Sequence, residues 1–240
     1  MGLETGTGIG DLVPANPLST DAVSSGDDHI RLIKTVMQSI TFLKNVVTFT
    51  ASGTWTRPAN VRRILIYCLG GGGGGGGGAV NAHSAGGGSS GAIAVKWLDV
   101  TAIASATVTV GAGGAGGASG TAGSLGSNGS VTSFVSAGPV THCQAREGLG
   151  GEAFYLGGPS HAASLSTGDI TFAGNPGTTG NLPNATGAYG GQGGGAGGRS
   201  NASAPANSGG GGGGGQSGPA SGDAGGTGGS GYCFVLEFGW

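Results

Sequence analysis

The sequence predicts a mainly β and polyglycine-II protein: a short N-terminal helix, a small β base, and stacked glycine-rich polyproline-II-like helices joined by loops. Three observations carry this prediction. Gly makes up 61 of 240 residues, whereas an ordinary globular domain holds about 7 %. The glycines are concentrated, with 53 of them in residues 70–230. Apolar segments with strand period flank and punctuate that block.

The first element lies in residues 1–45, which are richer in charge than the rest and form a separate module. After the turn region Pro14 to Pro17, Ser25-Gly-Asp-Asp28 has the S-x-x-D outline of a helix start, with two acids in the first turn. A helix is expected over Asp27 to Asn45. Ile30, Ile33, Met37 and Ile40 then recur at three- and four-residue spacing, a short heptad-like seam that Lys44 interrupts and Val47 resumes. Such a seam packs either on the β base or in a homotrimeric bundle.

The β base is expected from residues 46–69, 91–110 and 231–240 within a second domain, 46–240. Val61 to Leu69 alternates, with Ile64, Ile66 and Cys68 on one face and Leu65, Tyr67 and Leu69 on the other. Tyr232, Phe234, Leu236 and Phe238 share a face of the last strand, and Ala92 to Trp97 and Ala106 to Val110 supply two more. These strands argue against a flexible Gly/Ser linker, which has no use for them. They also pin the glycine tracts at both ends, which lowers the entropy cost of ordering them.

The Gly-only tracts are Gly70 to Gly78 and Gly209 to Gly215, with shorter ones such as Gly111-Ala-Gly-Gly-Ala-Gly-Gly117. Collagen is excluded, because there is no strict Gly triplet and there are only nine Pro. A polyproline-II-like helix has three residues per turn and no internal hydrogen bonds, so every N–H and C=O points outward. Without side chains such helices approach closely and satisfy one another's backbone. Nine residues then span about 28 Å, with Ala and Ser expected on the outward corners.

Composition removes several functions. Charged residues are 8% and the net charge is −2, with the nine Lys and Arg scattered, so the basic footprint of a nucleic-acid binder is missing. No apolar run approaches the length of a membrane span, and Met1 to Gly10 lacks a basic start or apolar core, so a cytosolic site of synthesis is expected. Cys68, Cys143 and Cys233 are too few for a disulfide framework and are expected as reduced, partly buried thiols. Glu147 and Glu152 stand near each other, but the chain lacks the aromatic supply that walls a glycosidase cleft. G-x-G-x-x-G matches by chance in polyglycine, and His83, His142 and His161 have no metal-ligand spacing. No catalytic residue, metal or cofactor is therefore expected.

Gly2-Leu-Glu-Thr-Gly6, Asp11-Leu-Val-Pro-Ala-Asn-Pro17 and Gly26-Asp-Asp-His-Ile-Arg-Leu-Ile-Lys34 resemble the N-terminal segment of many bacteriophage tail-fibre proteins. The stretch Val47 to Val61, followed by a strand and a Gly run, resembles the glycine-rich domain of fibre-tip proteins. The Gly block is similar to the polyglycine sandwich of receptor-binding adhesins on long tail fibres of T-even-type phages. That resemblance implies a virion protein whose loops touch an outer-membrane protein or surface glycan of the host, with other tail proteins as partners. In one respect the chain departs from those adhesins: its N-terminus is fibre-like and not a cap for a separate fibre protein.

Carried over by position, the implied contact loops are residues 79–85, 139–168, 175–189 and 199–208. Within them the candidate receptor-binding residues are His83, Arg146, Tyr155, His161, Tyr189, Arg199 and Asn201. The second loop gathers aromatics and charge in a Gly-rich background, and rigid aromatics make good recognition anchors. Phe154 and Leu156 read rather as a local core, and His83 and Arg199 read equally well as solvated loop tips. The competing functional class is a purely structural fibre segment. An ice-binding stack would need uniform faces, and these loops differ in length and chemistry.

Overall fold

The structure, a computed structural model, describes residues 33, 42–80, 84–153, 165–180, 201–219 and 222–239. Nine strands are found among them: β1 (Phe42–Phe49), β2 (Gly53–Thr56), β3 (Val61–Leu69), β4 (Ile93–Asp99), β5 (Ser105–Thr109), β6 (Thr132–Ser136), β7 (Val140–Ala145), β8 (Ile170–Phe172) and β9 (Tyr232–Gly239). They form two antiparallel sheets, a five-stranded one in the order β1-β9-β3-β4-β8 and a four-stranded one in the order β2-β5-β6-β7.

The two sheets pack face to face because each strand alternates. Ile64, Ile66 and Cys68 of β3 point inward with Cys233 and Val235 of β9, against Trp55, Val108, Phe134 and Cys143 of the smaller sheet. Trp55 and Phe134 are tilted against each other at 5.6 Å. A buried indole N–H needs a partner, and Trp55 Nε1 finds Glu237 Oε1 at 2.7 Å. Glu237 is itself 2% exposed, so the inward face of β9 carries a carboxylate into the core, where Trp55 donates to it.

Three strand-level expectations are corrected. Residues 42–45 belong to β1, so the helix expected through Asn45 overruns; Val46, Val47 and Thr48 are β-branched, and β9 offers them a ladder. Residues 140–145, expected as part of a contact loop, are β7, paired with β6 across a turn at Gly138, whose φ is +85°. The three thiols are fully and not partly buried. Cys68 Sγ donates to Cys233 Sγ at 3.5 Å. Hydrogen bonding with Cys143, then with Cys233, then burial hold the Cys68 thiol well above its ordinary range, which keeps it protonated and unreactive. The helix seam residues Ile30, Met37 and Ile40 lie outside the described residues, while Ile33 is helical and 42% exposed.

Beyond the sandwich the strands run directly into glycine-rich segments. β3 continues into residues 70–78, β5 into 111–118 and β7 into 146–153, while 84–92, 123–131 and 222–231 lead back into β4, β6 and β9. Extended strand and threefold extended backbone occupy the same broad φ/ψ region, so no turn is needed between them.

Residues 70–78 are the axis. Their amides donate outward in three directions that repeat every third residue: Gly70, Gly73 and Gly76 to the carbonyls of Ala92, Ser89 and Gly86; Gly71, Gly74 and Gly77 to Ser130, Ser127 and Ser124; Gly72, Gly75 and Gly78 to Gly229, Gly226 and Asp223. The partners descend as the donors ascend, so these three segments run antiparallel to the axis. Carbonyls of the axis accept in three further directions: Gly71 and Gly74 from Gly148 and Gly151, Gly72 and Gly75 from Gly114 and Gly117, Gly73 and Gly76 from Gly212 and Gly215. These segments run parallel to it.

The six neighbours also bond to one another in a closed ring. Ser89 N–H donates to Leu149, Gly126 to Gly151, Ser127 to Ala115, Gly228 to Gly114, Gly226 to Gly213 and Gly88 to Gly212. Parallel and antiparallel segments alternate around that ring. This arrangement answers the buried-backbone accounting with carbonyls and amides alone.

Glycine stands wherever a Cβ would point at a neighbouring chain. At every position from Gly70 to Gly78 a Cβ would overlap a carbonyl of an adjacent segment. In 111–118 the glycines face inward while Ala112, Ala115 and Ala118 are exposed, and in 123–130 Gly126 and Gly129 face the axis while Ser127 and Asn128 face out. The outward rule fails in the segment 84–92, where Ser84, Ser89 and Ser90 are buried. There the hydroxyls replace carbonyls as acceptors: Ser89 Oγ accepts from Leu149 N–H and Ser90 Oγ from Asn175 N–H, both at 2.7 Å. That segment is covered by a further outer strand of chain, 173–180, so its corners are not outward.

Candidate functional site

The stack has two ends with different chemistry. At the base end lie Gly70, Ala92, Gly111, Arg146 and Gly231, joined to the sandwich; Gly111 N–H, for example, donates to the buried Thr132 Oγ1 at 3.0 Å. At the distal end Ala79 bridges Gly120 and Val80 bridges Gly218. Gly180 lies there too, packed beside Ser84, and Asn201 N–H donates to Gly214 at 2.7 Å. The nine-residue axis 70–78 separates the two ends.

Val80, Ser84, Ala153, Gly180 and Asn201 all lie at the distal end. They are the described neighbours in sequence of 81–83 and 181–200 on both sides, and of 154–164 on one. On its other side, Thr167 and Gln144 of β7 exchange two backbone hydrogen bonds of 2.8 Å. The candidates His83, Tyr155, His161, Tyr189 and Arg199 lie outside the described residues.

Two candidates lie within them, and they are not brought together. Asn201 sits at the distal end with φ +50°, a left-handed conformation that Asn tolerates, and its Nδ2 donates to Asp223 Oδ2 at 3.2 Å. Arg146 sits at the base end, where β7 passes into the stack. Its carbonyl accepts from Ala92 N–H, and its guanidinium pairs with Glu147 at 3.0 Å. Arg146 Nε is buried without a hydrogen-bond partner. It joins stack to sandwich, far from the distal loops.

His142, from the same expected loop, is on β7 with Nε2 2.8 Å from Ser136 Oγ. Burial, then the Lys96 charge, push its pKa down, so the ring stays neutral at neutral pH. On the nearby edge Lys96 pairs with Asp169, whose carboxyl is held below its usual range by that bond and by Trp97 N–H. Among the described residues no group of three His, Cys, Asp or Glu has the geometry to hold a metal ion.

Sequence reasoning missed the outer supporting residues of the stack. The hydroxyls of Ser89 and Ser90 had no distinguishing signal, because Ser beside Gly reads the same on a corner or in an interior. The Trp55–Glu237 pair was legible in part, since strict alternation puts Glu237 on the face opposite Tyr232 and Phe234.

No curated protein matches the chain. The family model of the glycine-rich domain matches residues 47–236, which takes in the sandwich from the end of β1 through most of β9 and the whole stack between them. The protein therefore belongs to the glycine-rich domain family.

Proposed function

We propose that this chain is the receptor-binding tip of a bacteriophage tail fibre, a non-enzymatic virion protein that recognises a protein or glycan on the bacterial surface. The observation that supports the reading is topological: Val80, Ala153 and Gly180, which precede 81–83, 154–164 and 181–200 in the chain, all lie at the distal end of the stack, opposite the sandwich. The stack is a polyglycine-II lattice in this reading, supported by the three-residue repeat of its hydrogen bonds and the closed ring of six neighbours.

Such a lattice is stiff because its polar backbone is saturated, and a stiff platform spares its loops part of the ordering cost of binding. Recognition then works through shape and hydrogen bonding by His83, Tyr155, His161, Tyr189, Arg199 and Asn201. Residues 1–41, the part of the N-terminal module that precedes β1, attach the chain to the tail and self-associate as a homotrimer through Ile30, Ile33, Met37 and Ile40.

The test is binding of labelled full-length protein to intact bacteria, including strains lacking single outer-membrane proteins or glycan layers. A variant with residues 154–164 replaced by Gly/Ser serves as the comparison. Strain-selective binding by the parent and its loss in a folded variant support the tip reading. Absence of binding to every strain assigns the chain instead to a structural part of the fibre.

A further inference from the structure

The outer face of the five-stranded sheet is apolar and open. Its inner face is filled by the smaller sheet, but no described segment covers the other side. Leu43 and Val46 of β1 are each 51% exposed, Trp97 of β4 is 42%, and Ile170 and Phe172 of β8 are 54% and 55%. The register places these residues on one face: Val46 opposes Leu236, Leu236 opposes Leu65, Leu65 opposes Trp97, and Ile170 opposes Val95, which opposes Tyr67.

Aromatic rings floor the middle of that face. Tyr67 stacks on Phe234 at 4.7 Å and 5°, and on Tyr232 at 5.8 Å, while Trp97 meets Phe238 at 4.9 Å. Large rigid rings held in place by one another lose little freedom when covered, which is the property of interface anchors.

We propose that this face is a subunit interface, covered by further copies of the same chain. Size is the first argument. The five strands hold 8, 8, 9, 7 and 3 residues, and at a spacing of about 4.8 Å and a rise of about 3.3 Å they make a face of roughly 550 Å². That lies near the upper end of the patch a monomer leaves in water and, with side-chain relief added, approaches the about 800 Å² that each partner gives a standard interface.

Charge is the second argument. Arg63 and Asp99 oppose each other at one end of the face, so it carries both signs side by side and is complementary to itself, whereas a strongly charged foreign partner would find no matching field. The inference stands whether or not the distal loops bind a receptor.

Sedimentation velocity and light scattering on the full chain test it, comparing the parent with Val46→Lys/Ile170→Lys. Both residues are exposed and outside the core cluster, so circular dichroism should stay that of the parent. The expected result is an oligomeric parent and a folded variant whose association is at least about tenfold weaker, since two charges must be buried for it to form.

A parent that is monomeric at its highest soluble concentration overturns the proposal. So does a variant that assembles like the parent, a result that would place assembly in residues 1–41 alone. A second measurement needs no destabilising change: the acrylamide quenching assigned to Trp97, from the difference between the parent and Trp97→Phe. Quenching must fall on assembly, and Trp97 equally open in oligomer and monomer rejects the interface.

Discussion

The sandwich and the glycine stack solve the same problem with opposite means. In the sandwich, order comes from side chains: Trp55, Phe134, Ile64, Ile66 and Val235 exclude water from a core, and backbone bonds run within each sheet. In the stack there are almost no side chains to bury, and order comes from backbone groups bonding in six directions around residues 70–78. The sandwich relieves part of a change of volume by rearranging rotamers. The stack cannot, because what a new Cβ meets is the carbonyl of a neighbouring chain that has its own bond to keep. One region is thus specified by which side chains are present and the other by where they are absent.

The sharpest way to break this contrast is a single methyl group. Gly74→Ala puts a Cβ onto the carbonyl of Ala115, and a loss of about 3 kcal/mol or more is expected, with Gly74→Val worse. Ala115→Ser, on an exposed corner of the neighbouring segment, should change stability by less than about 0.5 kcal/mol. Thermal melts of the two variants decide it, and equal melting temperatures would remove the close-packed axis from the account.

In the sandwich the largest effect is Trp55→Ala, expected to cost about 3–5 kcal/mol through the cavity it leaves and to remove the indole donor from the buried Glu237 carboxylate. A denaturant titration measures it, and the Glu237→Gln variant, which keeps an acceptor for Trp55 Nε1, should lose less. Smaller than either is the effect expected of Ser89→Ala. It removes a hydroxyl that accepts from Leu149 N–H inside the stack and should cost about 1–3 kcal/mol, the price of an unsatisfied buried donor.

The smallest expected effect sharpens the comparison at its outer face. Burial, followed by the neighbouring Tyr232, pushes the Tyr67 pKa up from 10.0 to about 12. A raised pKa in the folded state means that the stabilisation is whole below pH 10 and is lost as pH rises toward 12. Melting temperatures followed across that window should fall for the parent and fall less for Tyr67→Phe. An identical slope in both would mean that Tyr67 ionises as freely as in the unfolded chain.

Much of the sandwich was legible in the sequence because period two survives in β3, β4, β5 and β9. The strands β6 and β7 were harder to see. Thr132 to Ser136 and Val140 to Ala145 are short, polar in part and set among glycines, and their pairing across Gly138 depends on a partner sheet that only the tertiary structure supplies. In residues 42–49 two periods compete. Helical spacing links Ile40, Lys44 and Val47, but β-branched residues and the ladder of β9 win.

The glycine-rich domain was legible in the sequence and the arrangement of its segments was not. Nine consecutive glycines identify the axis because a chain surrounded on all sides has no free corner, whereas Gly-Ala-Gly triplets mark a ring position with one corner free. Serine breaks that code, since its hydroxyl stands in for a carbonyl at Ser89 and Ser90 and faces solvent at Ser127. Of the recognition candidates, Asn201 is at the distal end and Arg146 at the base. Sequence spacing could not separate them, because both flank a Gly-rich segment and only the direction of chain travel assigns the end.

The account rests most heavily on the axis being held by its own backbone bonds, and native-state hydrogen exchange read by mass spectrometry on a peptide spanning residues 70–78 tests that directly. All nine of its amides donate to neighbouring carbonyls at 2.8–3.0 Å, so the account predicts exchange as slow as that of β3 and β9, the most protected class in the molecule. Exchange at the rate of a free Gly/Ser peptide, with β3 and β9 still protected, would contradict it and make the glycine tracts loops tethered to a sandwich.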